Sequence, residues 1–300
     1  MPYLKNRKII IWGLLNTRHS HRYIHQGFYN SFRRLGLDVL WVSDAPKNIS
    51  VINKDNLVIA AGMSSKYLPL RDDTYYVLHN FENKISSSLQ RYINLQVIAT
   101  GANGVKVDDS ITLWDKHSRT LYQPWGLPEN PEQWLMPSKN VGKTEYWIGA
   151  VWNNELDQGN SREIDIYRKA LMERKIRFKR VGGTRSWTIN GRTSTSAFRL
   201  INQSPLGAAV LGNWQKINGY VPCRAFKNIA AGGIPISNSD FRYVFGDSYT
   251  YASSIENLVE FAAGMDYKKR FELNRSAKEK LSLYSYDASL FRMLKVLGLE

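Results

Sequence analysis

The sequence predicts a two-domain α/β protein built on doubly wound parallel sheets. Three observations carry this. Short, continuously apolar runs alternate with amphipathic helical stretches; a proline- and glycine-rich stretch interrupts them near the middle of the chain; and the alternation then begins again. A length of 300 residues suits two domains of roughly 130–150 residues each.

In the first domain, residues 1–126, strands are expected at 8–13, 38–44, 56–62, 75–81 and 96–100. They are short and apolar throughout, as parallel strands covered on both faces are. A helix over 21–35 keeps Tyr23, Ile24, Phe28, Phe32 and Leu35 at helical spacing and stops at Gly36. A second helix is expected over 84–94, a turn at 101–104, and two more strands over 110–115 and 119–125. The stretch 126–143 holds three prolines and two glycines, so 127–143 is expected to be an interdomain linker.

The second domain, 144–283, restarts with a strand over 145–152 and a helix over 162–174 with Ser161 as its N-cap. A strand over 176–181, the pair Gly182-Gly183, a helix over 195–202 and a strand over 206–212 follow. Then come a helix over 222–231, strands over 234–237 and 249–252, and helices over 255–264 and 267–283. A last helix over 287–297, within 284–300, is expected to pack back on the first domain. Two such domains would face each other across a cleft at the carboxyl ends of their strands, where open α/β sheets bind ligands.

Composition narrows the classes. Hydrophobic residues are 43% and charged residues 22%, a globular balance that excludes disorder as the dominant state. The lone cysteine, Cys223, excludes an internal disulfide and cysteine-based zinc sites and favours a reducing compartment. No apolar run approaches the roughly 18–20 residues of a membrane span. Lys5, Arg7 and Lys8 precede an apolar stretch that is short and lacks a small-residue cleavage site, so a first strand in a cytoplasmic protein is expected. Lysine and arginine exceed acids by 41 − 26 = 15, which bears on partners rather than on fold. Gly13-Leu14-Leu15-Asn16 after the first strand lacks the glycine spacing of a dinucleotide site, which argues against a nicotinamide-dependent oxidoreductase.

Chemistry concentrates in residues 219–238, GYVPCRAFKNIAAGGIPISN. Pro222 stands where a helix begins. Arg224 and Lys227 are three apart and share a face near that start. Two cations beside free backbone N–H groups suit a phosphate. The same residues also describe a solvated basic helix end followed by an ordinary turn.

In the first domain, residues 16–28 place His19, His21 and His25 just after the first strand. His21 and His25 have the spacing of a metal pair, but no third ligand is evident. His19 or His21 is suited to a general-base or acceptor-binding role, or to a structural one. His79 and Glu82 end the 75–81 strand. An imidazole titrates in the range needed to take a proton from a hydroxyl, and a carboxylate does so when burial raises its pKa. A hydrogen-bonded core histidine is the alternative for His79. Nine Lys/Arg and one acid between Arg168 and Arg192 read as a solvated face, or as a surface for an anionic acceptor, a membrane or nucleic acid.

The 219–238 segment resembles the donor-binding helix of GT-B glycosyltransferases. Arg224, Phe226, Ala230, Gly232 and Gly233 match their R-x-F-E-x-x-A-x-G-G pattern, with Lys227 in place of the glutamate that holds the donor ribose. It is also similar to the α1,3-fucosyltransferase segment through Val221, Arg224, Phe226, Lys227, Asn228, Gly232 and Pro235, with Pro222 and Cys223 replacing Thr-Glu. The domain plan is similar to that of phage DNA glucosyltransferases.

The resemblance implies two Rossmann-like domains facing a central cleft. The N-terminal one would bind acceptor and the C-terminal one a UDP- or GDP-sugar. Arg224 would pair with the donor pyrophosphate, and Lys227 with phosphate or ribose, beside Phe226. Asn153 and Asn154 would face the cleft, and Gly182 and Arg185 would form a second wall. His79, His19, His21 or Glu82 would supply catalysis. No metal and no further cofactor are implied. Expected acceptors are a glycan, a lipid-linked sugar or nucleic acid, with peripheral contact to an anionic membrane through the basic surface. A non-catalytic module binding nucleic acid or anionic glycan is the alternative.

Overall fold

A computed structural model describes residues 4, 6–17, 20–81, 89–96, 105–106, 113–124, 126–127, 131–181 and 194–299. The chain forms two compact units, Met1–Pro128 with Ser285–Glu300, and Glu129–Tyr284.

The first unit is built on β1 (Ile9–Trp12), β2 (Val39–Val42), β3 (Leu57–Ala61), β4 (Tyr75–His79), β5 (Tyr92–Gln96), β6 (Val105–Lys106), β7 (Leu113–Asp115) and β8 (Thr120–Tyr122). Their order in the sheet is β2-β1-β3-β4-β5-β8-β7-β6. Pairing is parallel from β2 through β8 and antiparallel only at β8-β7-β6. The order reverses between β1 and β3, the switch point at which such sheets receive ligands. Ile10, Trp12, Val58, Ala60, Tyr76 and Leu78 line one face with Val42, Ile52, Phe81 and Leu89.

The other face carries α1 (Ser20–Arg34), whose Tyr29 ring lies 5.7 Å from that of Trp41. Trp41 is the register partner of Ile11, so both point to that face. The connection from β2 to β3 is a 3-10 helix, Pro46–Val51, and another, Gly62–Ser64, follows β3. The regular strand–helix alternation that the sequence predicts is therefore abbreviated here. The residues of β5 differ from expectation too. Residues 92–94 belong to a strand, not to the end of a helix, and Ile93 and Leu95 alternate with half-buried neighbours. Parallel pairing with β4 satisfies this backbone, and that outweighs the local helical spacing. Expected strand residues 97–100 and the 101–104 turn lie outside the described residues, as do helix residues 84–88.

The last helix, Tyr286–Leu297, packs on α1 with the Phe28 and Tyr286 rings 5.0 Å apart. Gly27 makes this approach feasible, since a Cβ there would stand 2.5 Å from the Tyr286 ring. Gly27→Val is expected to lower stability by about 2–3 kcal/mol through overpacking, measured by urea unfolding; an unchanged midpoint would remove this contact from the account.

The second unit holds β9 (Thr144–Ile148) parallel to β10 (Arg177–Val181), and β11 (Ile236–Ser237) parallel to β12 (Thr250–Tyr251). Its helices are α2 (Ser161–Glu173), α3 (Ser194–Gln203), α4 (Asn213–Ile217), α5 (Cys223–Ala230), α6 (Arg242–Phe245), α7 (Ile255–Ala263) and α8 (Tyr267–Leu281). Trp147, Ile164, Tyr167, Leu171, Leu206, Val210, Ile236 and Leu258 lie in one core between sheet and helices. The short helices α4 and α6 were not expected. The N-cap of α2 is Asn160, not Ser161, and its side chain instead accepts from Trp152 N at 3.2 Å.

Residues 206–211, expected as a strand, form no full ladder. One bridge joins Ala209 to Ser237, Ile234 N donates to Leu206 O, and side chains take several of the other backbone groups. Glu145 accepts from Leu206 N and Gly207 N, both at 2.9 Å. Asn228 donates to Ala208 O at 2.9 Å, and Asn238 both donates to and accepts from Leu211. The proline-rich stretch, expected as a linker, is bonded into this unit. Leu135 N donates to Ala230 O, Gly142 N to Gln203 O, and Lys278 Nζ to Leu135 O. No helix among the described residues is long and apolar enough to cross a membrane.

Candidate functional site

Helix α5 begins after Pro222, whose fixed φ suits a helix start and which offers no side-chain cap. Phe226, Ile229 and Ala230 are buried on its inner side. Phe226 lies in an aromatic cluster, 5.2 Å from both Phe245 and Tyr284 by ring centroid, so it anchors α5 rather than facing a ligand. With the helix so fixed, Arg224 reaches back to the carboxyl end of β9. Its guanidinium carbon stands 3.5 Å from the centroid of the Trp147 ring. Its Nε and Nη2 donate to Ile148 O at 3.3 and 3.1 Å.

Gly149 leaves room for this group. Its φ is +133°, and a Cβ at that position would collide with Arg224 Nη2. Burial lowers the Arg224 pKa to about 10, so the group is still cationic at neutral pH. Among the described residues no carboxylate pairs with it, and its remaining N–H donors meet no acceptor. Removing such a charge from water is costly without a counter-charge. A guanidinium fork so placed near a helix N-terminus has the chemistry to accept an anion.

Lys227 sits half-buried one helical turn further on in α5. The loop after β9 lies at the same carboxyl edge, where Gly159 comes against Trp152 O and Gly212 against Gly159 O. Asn153 and Asn154 are exposed here, but they engage their own loop. Asn153 donates to Asp157 at 2.6 Å and accepts from Gly159 N at 3.0 Å. Asn154 donates to Gln158 at 2.8 Å and accepts from its N–H at 3.0 Å. They fix the conformation of their own loop. Gly182 and Arg185 lie outside the described residues, as do His19 and Glu82 in the first unit.

In the first unit, α1 crosses the carboxyl end of β4, and this brings histidines distant in sequence together. His21 and His79 have ring centroids 4.4 Å apart, and His25 and His79 5.9 Å. His25 is fully buried, with neither ring nitrogen in hydrogen-bond reach of a described group. Burial, reinforced by the neighbouring His21, lowers its pKa to about 3, so it stays neutral. Left-handed backbone gathers at the same edge of the sheet, with Leu14 at φ +59° after β1 and Asn80 at φ +51° after β4. Leu14 N donates to Ser64 Oγ at 3.2 Å, across the β1/β3 switch point.

Two participants were missed from sequence. Trp147 is the surface on which the Arg224 guanidinium stacks. Glu145, whose pKa burial raises to about 7 against the opposing pull of its two backbone N–H bonds, holds residues 206–207 in place. The apolar run of β9 hid both, since neither carries a motif. Among the described residues no group of three His, Cys, Asp or Glu is arranged to hold a metal ion.

No family model matches the chain, and no curated protein matches it. Among solved structures it is similar to a mutant O-GlcNAc transferase of Thermobaculum terrenum. The TM-score is 0.52 and the identity 10%, over 99% of this chain and 69% of that one. At that identity the likeness is one of fold, a GT-B-like α/β architecture with a largely parallel, Rossmann-like sheet.

Proposed function

We propose that the protein transfers a glycosyl group from a nucleoside-diphosphate sugar to an acceptor hydroxyl. One observation carries this reading: the half-buried Arg224 guanidinium, braced on Trp147 and Ile148 O and lacking a carboxylate partner among the described residues. The donor's pyrophosphate accepts its outward N–H groups. As the glycosidic bond breaks, charge grows on the leaving diphosphate, and the fixed cation stabilises it. Lys227, one turn along α5, adds positive charge. The fold likeness to an O-GlcNAc transferase is compatible with this chemistry and supports a transferase over an oxidoreductase.

The proton released by the acceptor hydroxyl is assigned to the His21–His79 pair, in which His21 is the half-buried ring and His79 the fully buried one that acts as the base. The hydroxyl oxygen forms the new bond to the anomeric carbon, the diphosphate leaves with the bonding pair, and the imidazole keeps the proton. Thermal shift with UDP and GDP, followed by a screen of nucleotide-sugar hydrolysis, tests the reading. Stabilisation by at least one nucleotide is expected, and stabilisation by neither would overturn it. His79→Ala is expected to lower kcat roughly 10²–10⁴-fold with nucleotide affinity unchanged; normal turnover would remove His79 as the base.

A further inference from the structure

We propose that the outer edge of β10 is a docking surface for the phosphodiester backbone of a nucleic acid. Among the described residues β10 pairs with β9 alone, and no described strand covers its other edge. Lys175, Arg177, Lys179 and Arg180 are all exposed. Two nearby cations are neutralised, Arg168 on α2 by Asp165 at 3.6 Å and Arg174 just past α2 by Glu260 at 3.2 Å. These four are not: no carboxylate among the described residues pairs with any of them.

A single exposed lysine suffices to keep an edge strand from pairing with another copy. Four unneutralised cations within residues 175–180 repel one another and raise the local positive potential well beyond that need, which favours a polyanion. Arg177 and Lys179 lie two apart on an extended strand, so they point to the same face of the sheet beside that edge, about 6.6 Å from each other, while Arg180 points to the other face and Lys175 precedes the strand. Such a row suits a polymer that repeats one negative charge per unit. Arginine adds a planar fork for phosphate oxygens. An anionic membrane is a poorer match. Among the described residues Met172 on α2 is the large exposed apolar residue nearest to the row in sequence. The excess of 15 positive charges over the whole chain acts in the same direction.

The proposal is independent of glycosyl transfer. It is tested by fluorescence anisotropy with a labelled oligonucleotide between about 50 and about 200 mM salt. The full chain is compared with the Arg177→Gln/Lys179→Gln variant, and with Lys47→Gln/Lys54→Gln as a charge-matched control on exposed first-unit sites. The β10 variant is expected to bind roughly tenfold more weakly, and its log–log salt slope to fall by about 1.4–1.8, while the control loses little. Arg180→Gln alone, expected to take about 0.7–0.9 from the slope, decides the matter if the double variant melts early. Equal losses in the control, salt-independent binding, or tighter binding to heparin or to phosphatidylserine vesicles than to the oligonucleotide would each overturn it. Thermal shift by UDP or GDP is expected to be the same in all variants, which separates this result from the donor site.

Discussion

Arg224→Ala is expected to weaken UDP or GDP binding by roughly 100-fold, about 3 kcal/mol, and to reduce transfer to background. The size follows from the setting. The guanidinium is half-buried, stacked on Trp147 and oriented by Ile148 O, so the nucleotide spends little on ordering it. Arg224→Lys should recover only part of the loss. A lysine keeps the charge, but it cannot lie flat on the indole and present a fork at once. Because the side chain also braces the end of β9, thermal melting of both variants belongs beside the titration. A folded Arg224→Ala protein with unchanged nucleotide affinity in calorimetry would refute the phosphate role.

Acid should destabilise the protein through His25, and His25→Leu should remove much of that sensitivity. The folded-state pKa is lowered from 6.5 to about 3. The unfolded chain therefore binds the proton more readily throughout that interval. The stability that His25 confers as a neutral group is complete above pH 6.5 and drains away as the pH falls toward 3, by on the order of 4 kcal/mol. Leucine fills a similar volume, does not titrate, and leaves no ring nitrogen without a partner. Urea unfolding at a series of pH values should show a steep decline for the natural protein and a flatter one for the variant. Identical slopes would mean that the buried imidazole is not what acid attacks.

His25 also marks the boundary of what patterns can reveal. Its spacing from His21 was plain, but its neighbour His79 is 54 positions away in the chain. The contact exists because β4 ends under the first turns of α1, a matter of strand order and crossover that no local period encodes. Phe226 is a similar case. The motif includes it, yet two aromatic rings from separate elements, Phe245 and Tyr284, claim it for the core.

The alternation of apolar runs and helices, the stop of α1 at Gly36, and the placing of Arg224 and Lys227 on one short helix after Pro222 followed from sequence alone. These are near-neighbour effects: backbone φ preferences, side-chain period and helix-end chemistry act within a few residues. Tertiary structure alone decided where those groups point and what they meet. It turned 92–96 into a strand, committed the amides of Asn153 and Asn154 to their own loop, buried Glu145 beneath two backbone N–H groups, and set the Arg224 guanidinium on Trp147. Each outcome depends on desolvation and packing between segments far apart in the chain, and those energies are defined only once the segments have met.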